Sequence, residues 1–214
     1  MRVHGYSVNE NFFNEAYLVL ENIPKHGSLN EFLAKEGKRK FLTAQHRCRI
    51  MCEIAKAVHF LHKGGVVDGT SEYMFLHRDI NSSCICLSAD FTAKLVVDYD
   101  KAVVELHDVE DEGTSDGVVI GTAGYTCPWY LRGNRKYQAE CDVFSFGVVV
   151  LEMITGSLQA GQSADRSFGE DLVDRYFFSN EKSSLLIKDV DPLAGSEWTE
   201  VLVSILNKSS AFLC

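Results

Sequence analysis

Three short polar motifs that follow one another in a fixed order are the feature that most constrains this chain. His77-Arg78-Asp79 comes first, Asp98-Tyr99-Asp100 comes second, and the segment 121–128, with the sequence GTAGYTCP, comes third. Each motif alone is too short to be specific. Their order and spacing together are specific, and they decide which fold the chain is expected to adopt.

The first part of the chain alternates between apolar segments and turn residues. Residues 16–20 (AYLVL) are predicted to form a buried strand, which the polar segment 22–27 ends. Ser28 and Glu31 have the spacing of a capping box, in which the Ser side chain caps the first turn of a helix. This short helix is predicted to end at Gly37.

A longer helix is predicted to begin at Thr43 and to end at Gly64. Two short strands are expected to follow, at residues 84–87 and 93–97, joined by a tight turn. The apolar residues of the long helix recur at steps of three and four, which places them on one face: Ile50, Met51, Ile54, Ala57, Val58 and Leu61.

The segment 141–154 is apolar on nearly all sides, and its residues leave two structures open. Its many β-branched side chains favour a buried strand, whereas its length favours a central helix. Two further helices are predicted near residues 170–178 and 197–206.

Composition excludes several classes of protein. Hydrophobic residues make up 46% of the 214 residues and charged residues 24%, so the chain is predicted to be globular and not disordered. The formal net charge of −9 argues against a nucleic-acid partner, because such proteins bind phosphates through cations. The same charge argues against binding to an anionic membrane surface.

The expected location follows from leader segments and cysteine usage. The sequence begins without the apolar region of a signal peptide, and no stretch of about 18 apolar residues could span a membrane, so no direct membrane insertion is expected. The seven cysteines are scattered and odd in number, which favours reduced thiols over a disulfide framework. A cytoplasmic location is therefore expected, including the case in which the parent protein is a receptor with an intracellular domain.

The three motifs, together with the segment 142–147 (DVFSFG), make the chain resemble the protein kinase family. The resemblance implies an α+β, protein-kinase-like fold, mostly a helical C-lobe with a two-strand remnant of the N-lobe. Residues 1–23 would form the N-lobe remnant with the hinge, and residues 24–214 a C-lobe that is incomplete at its C-terminus. Because residues 142–156 resemble the central helix of that lobe, the ambiguous segment is predicted to be helical.

Part of the sequence is similar to one branch of this family. The segment GTAGY at 121–125 and the segments 171–173 and 189–193 resemble the receptor-like and Pelle/IRAK-like kinases. This resemblance implies ATP-dependent phosphorylation of protein Ser or Thr residues. ATP and Mg²⁺ would be the cofactors, and a protein would be the substrate or partner.

The resemblance also implies roles for individual residues. Asp79 occupies the position of the base that orients the substrate hydroxyl, Asp98 that of the main metal ligand, and Thr122 is expected to contact Asp79. Arg78 resembles the arginine that binds a phosphorylated activation segment. The remaining nucleotide-site positions are Leu20 as gatekeeper, Glu21 and Ile23 in the hinge, and Cys86 below adenine, with Asp98 beside them.

Several positions depart from the pattern of the family. Asn81 stands where the catalytic loop carries a Lys, so a positive charge on the transferring phosphoryl group is lost. Cys84 stands where the family has the Asn that binds the second metal ion, and a neutral thiol is a poor ligand for Mg²⁺. Asp100 replaces a Gly, and Trp129 replaces the Glu of an ion pair.

Neighbouring residues are expected to have structural roles. Asp142 is expected to brace the backbone of the catalytic loop from the central helix. His77 is expected to pack in the hydrophobic interior together with Tyr99, which would take the place of the family's Phe. The insertion at 64–74 is interpreted as a surface loop, with a docking element as the alternative.

Three functions stay open at this point. The chain could be a catalytically impaired protein kinase domain, a pseudokinase-type protein-interaction module, or a fragment without function. It begins near the fourth strand of the N-lobe, so the glycine-rich loop and the Lys–Glu pair of the family do not occur in it. Truncation alone would not change internal residues, so the substitutions favour the last two readings. The open edge of the N-lobe remnant is expected to need a partner that covers it.

Overall fold

A computed structural model describes residues 3–9, 15–20, 26–67, 71–106, 119–132, 137–159, 171–177 and 186–210. An antiparallel hairpin lies at the front of the chain, where β1 (Val3–Asn9) pairs with β2 (Glu15–Leu20). The second strand confirms the strand predicted at 16–20, but Val19 on it is 59% exposed, so the prediction that the strand is buried is wrong at this residue. Residues 21–25 lie outside the described residues, so the boundary between an N-lobe remnant and a C-lobe at residue 23 stays a prediction.

Two short helices follow in place of one. α1 (Leu29–Ala34) begins as the capping pattern predicted, because the Ser28 hydroxyl accepts a hydrogen bond of 3.2 Å from the backbone N–H of Glu31. The prediction that Gly37 ends the helix is wrong, since α2 (Glu36–Arg39) contains Gly37. A glycine inside a helix costs only about 1 kcal/mol, so a single glycine does not by itself end a helix.

The long helix α3 (Ala44–Lys63) has the predicted bounds. The Thr43 hydroxyl caps its first turn, and Gly64 ends it with a φ of 57°. A side chain at Gly64 would put a Cβ 1.6 Å from the carbonyl oxygen of Tyr73, so only glycine fits there. Ile50 and Ile54 on the predicted apolar face are fully buried in the main core.

The ambiguous apolar segment forms the helix α5 (Ala139–Thr155), which confirms the helical prediction. Val148, Val149 and Met153 have no exposed surface, and they pack in the same core as Ile50 and Ile54 of α3. The helix ends at Gly156, whose φ of 70° is left-handed. A helix that is apolar on most sides is stable only where other elements surround it, so α5 lies at the centre of the domain.

Three other helices surround this centre. α4 (Pro128–Arg132) follows the third motif, and α6 (Leu172–Phe177) and α7 (Ser196–Ser210) are close to the predicted segments 170–178 and 197–206. Trp198 on α7 is fully buried in a second apolar cluster with Ile154. Among the described residues, no helix is long and apolar enough to cross a membrane.

Two small antiparallel sheets frame the polar motifs. One has the strand order β3–β6–β7, formed by Gly27–Ser28, Ile85–Leu87 and Ala93–Leu95. The other has the order β4–β5–β8, formed by Gly65–Val67, Ser71–Leu76 and Val103–Leu106.

The second sheet changes the interpretation of the insertion at 64–74. Most of its described residues belong to β4 and β5, so the prediction of a surface loop is wrong. The reason is long-range pairing: β8, which follows the second polar motif, hydrogen-bonds to β5 and makes the strand conformation favourable. The sheet places the start of the first motif directly after β5.

A buried ion pair joins α3 to the C-terminal part of the domain. Arg47 is fully buried, and its guanidinium donates to the Asp191 carboxylate at 2.5 Å and to the carbonyls of Leu42 and Met153. Burial lowers the pKa of Arg47, while the contact with Asp191 opposes that shift. The charge is therefore paired and hydrogen-bonded, as a buried cation requires.

We expect Asp191→Ala to lower the free energy of unfolding by about 3–5 kcal/mol, because it leaves the Arg47 guanidinium buried without a carboxylate. Thermal melting followed by circular dichroism measures the loss. Asp189→Ala is the matched control, since Asp189 pairs with the partly exposed Arg175 at 2.6 Å and accepts a hydrogen bond of 2.6 Å from the Tyr176 hydroxyl. A loss of about 1–2 kcal/mol is expected for it. Equal losses for the two variants would contradict the role of Asp191 as the buried partner.

Candidate functional site

The backbone of the first motif is held by one buried carboxylate. Asp142 on α5 accepts hydrogen bonds of 2.9 Å from the backbone N–H groups of His77 and Arg78, and one of 2.8 Å from the Tyr137 hydroxyl. His62 lies 2.9 Å from the same carboxylate. Burial opposes ionisation of Asp142, but these hydrogen bonds outweigh it and lower its pKa below the usual range. The bracing contact expected from the sequence is therefore present.

Asp79 is almost fully buried at the centre of the site, with 6% of its surface exposed. Its Oδ1 atom accepts a hydrogen bond of 2.6 Å from the Thr122 hydroxyl and one of 3.3 Å from the Asn81 amide. Its Oδ2 atom lies 2.6 Å from the ammonium group of Lys101. Both oxygens of the carboxylate thus have donors from this chain, and the Thr122 contact is the one that the resemblance implied.

Lys101 contacts one carboxylate from each of the first two motifs, Asp79 and Asp98. Its Nζ atom lies 2.6 Å from Asp79 Oδ2 and 3.4 Å from Asp98 Oδ2. The hydrogen bond to Asp79 raises the pKa of Lys101, so the side chain carries its charge at neutral pH. Sequence analysis missed this residue, although the signal was available: Lys101 directly follows the second motif, which already contained two carboxylates.

Cys84 and Asn81 occupy the positions at which the sequence departs from the family. The Cys84 thiol donates a hydrogen bond of 3.2 Å to the backbone carbonyl of Asp79. Burial, followed by the nearby Asp79 charge, raises the pKa of Cys84 to about 11, so the group stays a neutral thiol. The Asn81 side chain donates to the Asp79 carbonyl and to the Thr122 hydroxyl, and its oxygen accepts from the N–H of Ser83.

The side chains at these positions are poor ligands for the Mg²⁺ ion that the family implies. Mg²⁺ prefers several oxygen ligands in octahedral geometry. Here one expected ligand position holds a neutral thiol, and an ammonium group lies between the two carboxylates. Among the described residues, no cluster of three or more His, Cys, Asp or Glu side chains could hold a metal ion.

The expectation for His77 and Tyr99 is only half right. His77 is fully buried, and its Nε2 atom lies 2.9 Å from the carbonyl oxygen of Val96. Tyr99, however, is 45% exposed and does not fill the interior position that a Phe would occupy. Residues 99–101 form a turn, in which the N–H groups of Lys101 and Ala102 both donate to the Asp98 carbonyl. This turn directs Tyr99 outward and Lys101 toward Asp79.

Arg78 lies on the other side of the catalytic loop. Only 8% of its surface is exposed, and its guanidinium lies 5.8 Å from the centre of the Tyr137 ring. Its Nε atom is buried without a hydrogen-bond partner among the described residues. It lies beside Thr122 and Thr126, whose hydroxyl groups donate to Asp79 and to the Thr122 carbonyl. The role of Arg78 as an anion site stays a prediction.

The residues expected at the nucleotide side are only partly described. Leu20 is the last residue of β2, and Cys86 lies on β6 opposite Ser28. Burial raises the pKa of the Cys86 thiol. Glu21 and Ile23 lie outside the described residues, so the arrangement of the hinge stays a prediction.

The third motif is attached to the central helix. Tyr125 is buried, its hydroxyl donates to the Glu152 carboxylate, and its carbonyl accepts a bond of 2.8 Å from the Ser145 hydroxyl. Glu152 also accepts a bond of 2.8 Å from the N–H of Gln159. Burial raises the pKa of Glu152 to about 7. Through these contacts α5 positions the segment that carries Thr122.

The comparisons with known proteins agree with this arrangement. Residues 3–210 match the protein kinase domain as a family. The chain is 36% identical over 143 residues to cysteine-rich receptor-like protein kinase 36 of Arabidopsis thaliana. It is likewise 36% identical over 157 residues to cysteine-rich receptor-like protein kinase 6 of Oryza sativa subsp. japonica. These matches cover 67% and 71% of this chain but only 20% and 21% of those relatives. The chain therefore spans about a fifth of the length of the curated relatives.

A solved structure gives an independent comparison. The pseudokinase domain of BIR2, an immune regulator of the RLK/Pelle family, matches with a TM-score of 0.64 and 26% identity. The match covers 89% of this chain and 51% of that one. The fold is thus the protein-kinase-like fold, and the chain belongs to the protein kinase family. Its relatives are receptor-like kinases, and a pseudokinase is among its structural neighbours.

The raised pKa of Glu152 predicts how the free energy of unfolding depends on pH. A carboxyl group whose pKa is higher in the folded than in the unfolded state keeps its proton on folding, so its contribution to stability falls as pH rises. We expect the free energy of unfolding to fall by about 2 kcal/mol more in the wild type than in Glu152→Gln between pH 5.5 and 8. Urea titrations across this pH range measure the difference.

The control for this experiment is Glu140→Gln, because Glu140 is an exposed carboxylate on the same helix. It should leave the pH dependence of the wild type unchanged. Parallel pH profiles for the wild type and Glu152→Gln would show that Glu152 is ionised in the folded state at these pH values.

Proposed function

We propose that this domain is a protein-interaction module of the receptor-like kinase type that transfers phosphate poorly or not at all. The observation that carries the proposal is the pair of substitutions at the catalytic loop. Asn81 brings a neutral amide where the transferring phosphoryl group needs a cation, and Cys84 brings a thiol to a metal-ligand position. The likeness to a pseudokinase domain supports the same reading.

The other residues of the site explain why the fold persists with altered chemistry. Asp142 and Tyr137 hold the catalytic loop, and Tyr125 and Ser145 hold the segment after it. None of these contacts requires nucleotide or metal. Catalysis of phosphoryl transfer depends mainly on positioning and electrostatic stabilisation, so changes of charge remove it without unfolding the site.

ATP and Mg²⁺ are the cofactors of the family, and we propose that this chain binds Mg²⁺–ATP weakly. Asp98 and the hinge positions Leu20, Glu21 and Ile23 would take part in any remaining binding, with Cys86 below the base. Arg78 would serve as an anion site, and Asp79 would orient a hydroxyl group only if its three donors released it. A cytoplasmic location is part of this proposal.

A protein partner is the expected ligand of the module. The hairpin of β1 and β2 forms a two-stranded sheet among the described residues, and Tyr6 and Val19 on it are 77% and 59% exposed. A two-stranded sheet is marginally stable in water by itself, and open strand edges invite pairing. A partner protein, or further residues of a longer parent protein, would cover this edge.

A phosphotransfer assay tests the proposal. We expect the purified chain to incorporate no more labelled phosphate into itself or into a generic basic protein substrate than its Asp79→Asn variant does. Asp79→Asn is the matched control because it removes the base position while conserving shape. An active receptor-like kinase domain in the same buffer verifies the assay. Incorporation that depends on Asp79 would overturn the proposal.

Thermal melting with and without Mg²⁺–ATP supplies a second readout. Cooperative melting that Mg²⁺–ATP leaves unchanged is expected for a folded interaction module with weak nucleotide affinity, because only a ligand that binds the native state raises the melting temperature. An increase of several degrees would contradict the weak-binding part of the proposal. Absence of cooperative melting would contradict the proposal that the chain is a folded interaction module.

A further inference from the structure

We propose that Lys101 is a tethered counter-ion that pairs with Asp98, the main metal-ligand position, and with Asp79, and that it keeps Asp98 closed to Mg²⁺. The inference deepens the proposed function, on which it rests, since it names the group that governs the metal side of the site. It is carried by geometry: one ammonium group contacts both carboxylates.

The first step of the argument concerns the carboxylate oxygens. Asp79 Oδ1 accepts from Thr122 and Asn81, and Asp79 Oδ2 is paired with Lys101 at 2.6 Å. Asp98 Oδ1 accepts a bond of 3.2 Å from the N–H of Asp100, and Asp98 Oδ2 lies 3.4 Å from Lys101. All four oxygens therefore have donors from the chain itself. A metal ion at Asp98 would have to share the carboxylate with the Lys101 ammonium group.

The second step concerns charge. Asp79 and Asp98 together contribute two negative charges, and Lys101 cancels one of them at contact distance. A divalent cation bound at Asp98 would also lie close to the ammonium group, and like charges at such distances repel strongly. The neighbouring carboxylate of Asp100 returns part of the negative charge, but Asp100 is exposed, so solvent and salt screen its contribution.

The third step concerns the ligands that remain. Mg²⁺ gives up its water reluctantly and needs oxygen ligands in fixed geometry. Cys84 offers a sulfur atom, which is a soft ligand, and its thiol donates to the Asp79 carbonyl. Within the part of the chain that the structure describes, no group of three or more His, Cys, Asp or Glu side chains could hold a metal ion. The site is thus complete as an internal ion-pair cluster.

Lys101 is also free to be replaced without damage to the core. Its side chain is 41% exposed, and that of Asp98 is 42% exposed. Removing the ammonium group therefore leaves Asp98 open to solvent without creating a cavity, while the buried Asp79 carboxylate keeps its hydrogen bonds from Thr122 and Asn81. This makes the inference testable by substitution at one position.

The experiment measures Mn²⁺ binding by electron paramagnetic resonance of the free ion, because Mn²⁺ prefers the same hard oxygen ligands as Mg²⁺. The full chain is compared with Lys101→Met and with Lys101→Gln, which removes the charge but keeps a donor. Lys56→Met is the matched control, since Lys56 is an exposed lysine on α3 away from the site. Lys101→Met in combination with Asp98→Asn tests whether any gain depends on the acidic pair.

We expect both Lys101 variants to bind Mn²⁺ at least about tenfold more tightly than the wild type, because removing one like charge near the ion favours binding. Lys56→Met should match the wild type, and Asp98→Asn should abolish the gain. Equal affinity of the wild type and both Lys101 variants would overturn the inference. Weaker binding by the Lys101 variants would also overturn it, since Lys101 would then support the metal site.

This readout separates the inference from the proposed function. If the Lys101 variants gain Mn²⁺ affinity while the wild type shows phosphate transfer that depends on Asp79, the proposed function fails and the counter-ion role stands. If phosphate transfer is absent and Mn²⁺ affinity does not change, the proposed function stands and the counter-ion role fails.

Discussion

The buried carboxylate of Asp142 is the group on which the rest of the site depends. It lies on α5 with no exposed surface and accepts hydrogen bonds from two successive backbone N–H groups of the catalytic loop. Arg78, one of these residues, has a φ of 66°, which a non-glycine residue adopts at a cost of about 1–3 kcal/mol. Hydrogen bonds to an ionised group contribute roughly 1.5–3 kcal/mol each, so Asp142 can offset this strain.

The same helix also determines where the segment after the second motif lies. Ser145 and Glu152, which lie two turns apart on α5, hold Tyr125, and Thr122 then reaches Asp79. Contacts with the one apolar helix α5 therefore position both the catalytic loop and the third motif. Because these anchoring residues differ from the residues that would perform chemistry, the architecture tolerates changes at Asn81 and Cys84.

The backbone framework of the site is kept, whereas its charges are not those of a catalytic loop. A catalytic loop that uses metal and nucleotide needs negative charge that is open to solvent ions and positive charge that meets phosphate. In this chain the loop position that would carry the cation holds Asn81. The cation next to Asp79 is instead Lys101, which contacts carboxylates of the same chain. The cluster is satisfied internally, as a stable buried or half-buried ion pair requires. The site has the backbone arrangement of a kinase site but a different distribution of charge.

The sequence by itself determined the helix α3, the strand β2 and the cap at Ser28, because these follow from local periodicity and capping patterns. The helix α5 and the braces from Asp142 and Thr122 came from the resemblance of its motifs to a known family. Only the tertiary structure decided that residues 65–67 and 71–76 are strands, since their partner β8 lies across the second motif. It also decided that Tyr99 points outward, that Lys101 meets Asp79, and that Arg47 meets Asp191. These outcomes depend on contacts between residues far apart in the chain or on a turn that reverses side-chain direction, and local pattern contains no information about either.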